Sequence, residues 1–494
     1  MEKYILSIDQ GTTSSRAILF NHSGNLVAVA QKEISLVYPQ DGYVEVNAND
    51  IFESVVDVIR EVLEKTHLTF ANIDSVGITN QRETAIVWSK TTGLPVCNAI
   101  VWQSRQSQSI CDKFNKYQKM IHEKTGLLIN PYFSASKIRY ILDHIDHGQK
   151  RAESGELLFG TVDTWLIYKL TNGQVHATDM TNASRTMLYN INTLSWDEEL
   201  LNLFNIPQKM LPEVKSCNAD FGSLTIFNCD VHILGVLGDQ QAALFGQTCF
   251  TPGESKATYG TGCFMLMNIG EKPVFSKEGL LTTIAWNIDG KTIYALEGSV
   301  FVCGTAIKWL RDGLQIINQA SDCDVLANKV GNSNGVYFVP AFVGLGTPYW
   351  DNDVRGSFFG ITIGTNRNHL VQATLQAIAF QCKDIFSIME KESGIKITNL
   401  QVDGGVANSK YMLQFQSDIL GVKVSKPCCL ESTAAGAAFM AGLNSGYFKD
   451  AVNILDLHLL DKEFLPTISK KEAGNLYKNW RTAVKSAQSF KIKR

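Results

Sequence analysis

The sequence predicts an α/β fold in two related halves, and three observations carry that reading. Strand-like and helical stretches alternate for most of the 494 residues. Two glycine–threonine turns, Gly11-Thr12 and Gly260-Thr261, each precede an apolar run and stand about half the chain apart. The length leaves room for two or more domains with ample core. A boundary near Phe245 divides the chain into residues 1–245 and 246–494.

The first half opens on the strand signal Tyr4-Ile5-Leu6, followed by the turn Ile8-Asp9-Gln10-Gly11-Thr12-Thr13-Ser14-Ser15-Arg16 and a second strand, Ala17 to Phe20. The turn carries one glycine, four hydroxyl side chains, an aspartate and an arginine. Backbone N–H groups and hydroxyls in such a turn can converge on phosphate oxygens. Arg16 adds a forked donor for the same oxygens. Asp9, at a strand end, suits magnesium held directly or through water. Taken alone, an ordinary polar hairpin explains the turn equally well.

Ile51, Phe52, Val55, Val58, Ile59 and Val62 form a helical stripe, with Asn49 or Asp50 placed to cap it. Ile73 to Ile78 reads as a strand ending at Thr79-Asn80-Gln81-Arg82-Glu83. Open α/β sheets place their ligands just past such carboxyl ends. Gly235 to Gly246 is a strand-to-helix transition, and Asp239 stands where it can cap a helix starting at Gln240 or Gln241.

In the second half, Gly260-Thr261-Gly262 repeats the hairpin pattern before Cys263 to Met267. Two equivalent hairpins suggest two related domains facing one nucleotide. Asp403-Gly404-Gly405 follows a strand and precedes the helical stretch Tyr411 to Leu420. A Gly-Gly pair lets a ligand ring approach the backbone closely, although a structural turn accounts for it equally. Ala434 to Leu443 reads as a tightly packed core helix.

Composition narrows the class. Hydrophobic residues make up 45% and charged residues 19%, as in soluble globular proteins. A net charge of -3 points to neither nucleic acid nor an acidic surface as partner. The basic tail Lys491-Ile492-Lys493-Arg494 reads as a solvated end. The 11 cysteines form no Cys-x-x-Cys pair, which fits free thiols in a reducing cytoplasm. Cys428-Cys429 has no functional reading. The nine histidines offer no HxxxH or HxH pair for a metal. No secretory signal and no apolar run of about 18 residues is visible, so the expected location is cytoplasmic, with no integral membrane segment.

Several motifs together are more specific than each alone: Asp9–Arg16, Gly77–Thr84, Ile100–Gln103, Asn130–Ser134, Thr181–Leu188, Gly238–Gln247, Tyr259–Phe264 and Phe415–Leu420. As a set they resemble the glycerol kinases, within the FGGY carbohydrate kinases that share the actin/Hsp70-like ATPase fold. The resemblance runs from residue 4 to about 448. It implies two actin-like (ribonuclease H-like) domains flanking a nucleotide and substrate cleft. It also implies ATP and Mg2+ as cofactors, and transfer of the γ-phosphate to glycerol to give sn-glycerol 3-phosphate. A homo-oligomer, dimer or tetramer, is expected.

Residue by residue, the resemblance makes Asp239 the general base, about 3 Å from the attacked hydroxyl. Arg82 and Glu83 bind the glycerol hydroxyls, Tyr132 adds a phenol, and Gln240 contacts the same substrate end as Asp239. Trp102 and Phe264 sandwich the carbon chain. A site that closes on a triol must satisfy its hydroxyls, since each unpaired polar group costs about 1–3 kcal/mol. Core packing remains the plain alternative for the two aromatics, and a weak surface ion pair for Arg82-Glu83. Thr12, Thr13, Ser14 and Arg16 match the first phosphate loop and Thr261 the second. Gly304 and Lys308 match the helix beside the nucleotide, and Gly405 and Ser409 the adenosine side. Asp9 matches the metal position.

Three departures carry consequences. Lys308 stands where bacterial relatives often have Gln, and could reach a phosphate. Ser409 stands where they have Asn. The stretch Thr225 to Val231 lacks the Gly-Gly-Thr-Arg loop that binds fructose 1,6-bisphosphate in some relatives, and Asp230 would repel phosphate. Inhibition by that sugar phosphate is therefore expected to be weak or absent, and a strong, saturable loss of activity on titration would refute this. Ser216 to Asp230 has no regulatory histidine, and His232 is expected inside the following strand. The competing readings are a pentulose kinase and an actin- or Hsp70-like ATPase that serves as a binding protein.

Overall fold

The computed structural model describes residues 2–351 and 353–490. The basic tail Lys491–Arg494 lies outside the described residues. Strands β1 (Tyr4–Gln10), β2 (Ser14–Phe20), β3 (Leu26–Glu33), β4 (Ile73–Asn80) and β5 (Ile233–Gly238) form a five-stranded sheet ordered β3-β2-β1-β4-β5. The β1-β2-β3 meander is antiparallel, and β4 and β5 add in parallel to β1. Ile5, Leu6, Ser7 and Ile8 are all buried, as in a strand covered on both faces.

A second sheet of seven strands contains β6 (Glu254–Tyr259), β7 (Cys263–Gly270), β8 (Leu281–Ile288), β9 (Lys291–Val300), β10 (Asn399–Asp403), β11 (Lys423–Pro427) and β12 (Leu460–Phe464). Without β8 and β12, its order β9-β7-β6-β10-β11 repeats that of the first sheet. The pairing senses repeat too: β6 is antiparallel to β7, β7 to β9, and β6-β10-β11 run parallel. The two glycine–threonine turns are therefore topologically equivalent, β1-to-β2 and β6-to-β7.

Helix α1 (Ala48–Thr66) carries the expected stripe, but its cap is Asn47, whose side chain accepts from the Asn49 N–H. Neither Asn49 nor Asp50 caps it, because the helix starts a turn earlier than the apolar stripe. Helix α2 (Asp239–Gly246) begins at Asp239 itself, not at Gln240 or Gln241, and Gly238 is its cap residue. Asp239 Oδ1 still accepts from the Gln240 N–H at 2.7 Å. His232 lies just outside β5 and contacts Asp220 at 2.9 Å and Asp230 at 3.3 Å, so it is not a residue of the apolar strand.

Helices α3 (Gly304–Asp312), α4 (Arg367–Ser393), α5 (Lys410–Leu420) and α6 (Ser432–Ser445) complete the frame of the cleft. The Ala/Gly-rich α6 is a packed core helix, as its sequence predicts. It lies on the first sheet, where a Cβ at Gly77 would stand 2.2 Å from the Ala437 carbonyl oxygen and one at Gly235 2.4 Å from the Ala441 nitrogen. Those two glycines are register partners on β4 and β5, so together they make one flat seat. Helix α6 also crosses α2, where a Cβ at Gly436 would stand 1.9 Å from the Ala242 carbonyl oxygen. One hydrophobic cluster joins Ile5 and Leu237 of the first sheet to Leu266 and Ala295 of the second through Ala434 and Ala438. All eleven cysteines are free.

Candidate active site

The site forms where β4 and β5 end side by side. Arg82 and Glu83 leave β4, and Asp239 opens α2 after β5. Parallel neighbours with a common direction bring these ends together. Gly238 leaves room for the Arg82 stem, since a Cβ there would stand 2.8 Å from Arg82 Cδ. Arg82 Nε lies 3.2 Å from Asp239 Oδ1. Glu83 adopts φ 62°, a left-handed conformation that costs a non-glycine residue about 1–3 kcal/mol. The Ser134 hydroxyl, which donates to the Glu83 carbonyl at 3.1 Å, helps hold it.

Arg82 and Glu83 are 3% and 1% exposed, which excludes the surface ion pair. Arg82 donates to both carboxylate oxygens of Glu297, at 2.7 and 3.0 Å, and to Gln241 Oε1 at 3.1 Å. Arg185 donates to Glu83 at 2.6 Å and to Glu297 at 3.1 Å. The two arginines and two glutamates thus close a buried ring of alternating charge, with Asp239 attached through Arg82. Burial opposes the charge on Glu297, but Arg185 and Arg82 overcome it and hold the carboxyl down at about 2. Burial pushes Glu83 up, against Arg185 and Arg82. Burial also pushes up the Tyr132 phenol, which adds to the effect of the nearby Glu83.

The aromatic walls stand beside this ring. The Trp102 ring centroid is 5.4 Å from Tyr132 and 6.4 Å from Phe264, both edge-to-face. The Trp102–Phe264 planes meet at 78°, so the walls form a corner instead of two parallel plates. Phe264 comes from β7 of the second sheet, so the corner spans both halves. The Trp102 indole donates to Thr12 Oγ1 at 2.9 Å and leaves the Thr12 O–H free to donate elsewhere. This bond ties the aromatic wall to the first turn.

The first turn is closed by the Gly11 N–H to the Ser14 carbonyl at 2.8 Å. Thr12, Thr13 and Ser14 remain at least partly exposed, but Ser15 is buried and bonds Ser54 at 2.9 Å. Three of the four hydroxyl-bearing residues of the turn therefore keep exposed surface. Arg16, expected at the phosphates, pairs with Glu431 at 2.6 Å, just before α6. Desolvation pushes the Asp9 carboxyl up to about 7; Arg16 pulls it back, and Asp239 and Glu431 add to the rise.

The second turn is closed by the Gly260 N–H to the Gly262 carbonyl at 2.9 Å. The Thr261 carbonyl accepts from the Cys303 N–H at 3.0 Å and the Thr305 N–H at 3.2 Å, and the Gly304 N–H bonds the Gly260 carbonyl at 3.0 Å. A Cβ at Gly304 would stand 2.6 Å from that carbonyl oxygen, so only glycine lets α3 start there. Lys308 is exposed one turn further along α3, on the face of Gly304. Gly404 has φ 84°, and a Cβ on it would meet the Tyr259 carbonyl oxygen at 2.4 Å. Gly405 instead faces open space. Ser409 caps α5 by accepting from the Met412 N–H at 3.1 Å, and its hydroxyl donates to Asp324.

Four residues of this arrangement escaped the sequence reading. Arg185 and Gln241 lie inside the Thr181–Leu188 and Gly238–Gln247 motifs, where nothing in the sequence sets them apart. Glu297 is a charge in the otherwise apolar run of β9, a local signal without a partner in sequence. Lys256 in β6 is fully buried and donates to Gln240 Oε1.

Residues 4–246 match the N-terminal domain of the FGGY family of carbohydrate kinases, and residues 255–445 match the C-terminal domain. The chain belongs to this family and has its two-domain, actin-like α/β architecture. Within the family, its full-length similarity is to glycerol kinases. It is 54% identical to the glycerol kinase of Geobacillus sp. (strain WCH70), over 99% of this chain and 100% of the relative. The glycerol kinase of Thermus thermophilus is also 54% identical, with the same coverage. A crystal structure of Plasmodium falciparum glycerol kinase with ADP matches at TM-score 0.94 and 36% identity, over 100% of this chain and 99% of that one. A xylulose kinase from Lactobacillus acidophilus shares the fold at TM-score 0.89 and 23% identity.

Proposed function

We propose that the protein phosphorylates glycerol with ATP, yielding sn-glycerol 3-phosphate and ADP. The observation that carries this is the 3.2 Å approach of Arg82 to Asp239, beside the corner of Trp102 and Phe264. It gives a small polyol a charged floor and an apolar wall within one cleft.

Arg82 and Glu83 orient the hydroxyls, and Tyr132 bounds the slot. Asp239 accepts the proton of the attacked hydroxyl as the new O–P bond forms. The bond from the γ-phosphorus to the bridging oxygen breaks, and ADP departs. Phosphoryl transfer depends mainly on positioning and charge stabilisation, so Asp239 needs no unusual basicity. Thr12, Thr13, Ser14 and Thr261 border the phosphates from the two equivalent turns. The open face of Gly405 leaves space for the adenosine, with Gly304, Lys308 and Ser409 nearby on α3 and at the start of α5. Closure of the two halves would exclude water and limit wasteful hydrolysis.

Magnesium suits Asp9. Its carboxyl is desolvated and has the carboxylates of Asp239 and Glu431 as neighbours, so a divalent cation would supply missing countercharge. No group of three or more His, Cys, Asp or Glu side chains that could hold a metal occurs among the described residues. This is the pattern expected when phosphates and water supply most of the ligands. When bound, the ion supplies charge neutralisation at the phosphates.

We place the division between the two domains at 245/246. No helix among the described residues is long and apolar enough to cross a membrane, and the eleven free thiols support a reducing cytoplasm. A panel of glycerol and D-xylulose with magnesium-ATP, read as ADP release, tests the function. Glycerol should be phosphorylated faster. Faster phosphorylation of the sugar, or ATP hydrolysis indifferent to glycerol, would overturn it.

A further inference from the structure

Lys256 sits in β6, the strand that leads into the second phosphate turn. It has no exposed surface. Residues i and i+2 share a strand face, so Lys256 and Thr258 point the same way, while Ala257 and Tyr259 enter the core of the second sheet. The Lys256 ammonium donates to Gln240 Oε1 and, at 2.9 Å, to Thr258 Oγ1. Both acceptors are neutral. Burial pulls its proton affinity down, and Asp403 and Asp239 oppose this from beyond contact distance. Withdrawing a lone ammonium from water costs several kcal/mol. Two neutral hydrogen bonds are a poor return for that cost if the lysine only supports the fold.

The chemistry of the contact supplies a different role. An ammonium has three donors and no acceptor, so it can bind only the carbonyl end of the Gln240 amide. The amide N–H2 end must then face away from Lys256. The Gln240 backbone N–H is already bonded to Asp239 Oδ1 at 2.7 Å, so this side chain is fixed at both ends beside the proposed base.

We infer that Lys256 is a positioning residue that, by holding Gln240 Oε1, presents the Gln240 amide N–H groups to the glycerol hydroxyls beside Asp239. The inference rests on the reading that Gln240 contacts glycerol. A hydroxyl has one proton and two lone pairs. With the amide held this way, Gln240 donates to a lone pair and Asp239 alone accepts the proton. A flipped amide would place a second acceptor there and compete with Asp239. Lys256 thereby links the β6 strand of the phosphate turn to acceptor recognition in the other half.

The test is a double-mutant cycle with Lys256→Met and Gln240→Ala in the full-length enzyme, with KM measured separately for glycerol and ATP. K256M should raise the glycerol KM about tenfold, the effect of losing one oriented hydrogen bond, and leave the ATP KM within about twofold. In the Q240A background the same change should leave the glycerol KM within about twofold, because its target is already gone. K256M should melt somewhat below the wild type, because Gln240 Oε1 loses its donor and the buried Asp403 loses a nearby cation, so the glycerol KM and not the melting temperature reads the positioning role. An equal glycerol effect in both backgrounds would overturn the inference. So would an unchanged glycerol KM, parallel rises in both KM values, or a K256M chain that fails to fold. Wild-type turnover of glycerol is measured first: its absence refutes the underlying reading, whereas additive variants of an active enzyme refute only the role of Lys256.

Discussion

Glu297→Gln tests the charge ring most directly. Glu297 accepts three charge-assisted hydrogen bonds, at 2.7 and 3.0 Å from Arg82 and 3.1 Å from Arg185. Glutamine keeps the size, but its amide nitrogen would then face a guanidinium N–H, donor against donor. Removing one partner of a buried ion pair costs about 3–5 kcal/mol. Part of this is recovered here. With Asp239 included, the native group holds two positive and three negative charges; the substitution makes it neutral, and both arginines keep a carboxylate. The lower end, about 3 kcal/mol, is therefore expected. Released from Glu297, Arg82 should close on Asp239 and move away from the hydroxyls it is proposed to orient. Urea unfolding should show a lower midpoint. Steady-state kinetics should show a glycerol KM raised at least about tenfold, equivalent to about 1.4 kcal/mol, with the ATP KM little changed. Glu297→Asp should fall between the two. A glycerol KM and a urea midpoint both equal to wild type would show that the ring neither holds Arg82 nor supports the fold.

Asp239→Asn should lower turnover by about two to four orders of magnitude, the usual contribution of a general base. Glycerol should still bind within a few-fold by calorimetry, and near-wild-type turnover would remove the assignment. Its effect on stability should be small, because the Asp239 side chain is 31% exposed and the ring keeps two negative charges without it. His176 should shape the acid limb of stability. Burial lowers its imidazole from 6.5 to about 4, opposed by its 2.8 Å contact with the Phe159 carbonyl. The unfolded chain then binds a proton that the folded chain refuses. This stabilisation is complete above pH 6.5 and is lost as the pH falls towards about 4, at about 1.4 kcal/mol per pH unit. His176→Gln should flatten the stability profile over that interval by about one proton, measured by urea unfolding at a series of pH values. An unchanged slope would count against it.

The parts of the site that lie on one continuous segment were legible in the sequence. The turn at Asp9 to Arg16 announces itself because its glycine, hydroxyls and charges are neighbours in the chain. Arg82 and Glu83 announce themselves by following a strand. The charge ring does not, because Glu297 lies in the second sheet and reaches Arg82 only where the two sheets meet, and no spacing in the sequence relates them. Arg16 was legible as a cation in the turn, expected to face phosphates. Its pairing with Glu431 was not, because that carboxylate belongs to the far end of the chain. The cap of α1 was misread for a local reason: an apolar stripe marks the buried face of a helix, and its first polar turn lies before the stripe begins. His232 was misread by one residue: its carbonyl still accepts from the Val76 N–H of β4 at 2.9 Å, but its side chain turns out to Asp220 and Asp230 before the buried run begins at Ile233.

The Ala/Gly composition of α6 was legible as tight packing, but only the structure gives that packing a direction. Gly77 on β4 and Gly235 on β5 admit the α6 backbone directly, with no side chain between. Those same strands end at Arg82 and Asp239. Helix α6 belongs to the second half of the chain, and Glu431 immediately before it holds Arg16. Backbone-to-backbone contact of this kind resists sliding, because any shift of a few tenths of an ångström meets carbonyl oxygens instead of a flexible side chain. A relative motion of the two halves must therefore leave α6 and the β4-β5 pair together and be taken up elsewhere. On this argument the floor formed by Arg82 and Asp239 moves as one body with α6. The bidentate Arg82–Glu297 bond extends that body to β9 and its partner β7, the strand of Phe264, so closure is left to the outer elements of the nucleotide side.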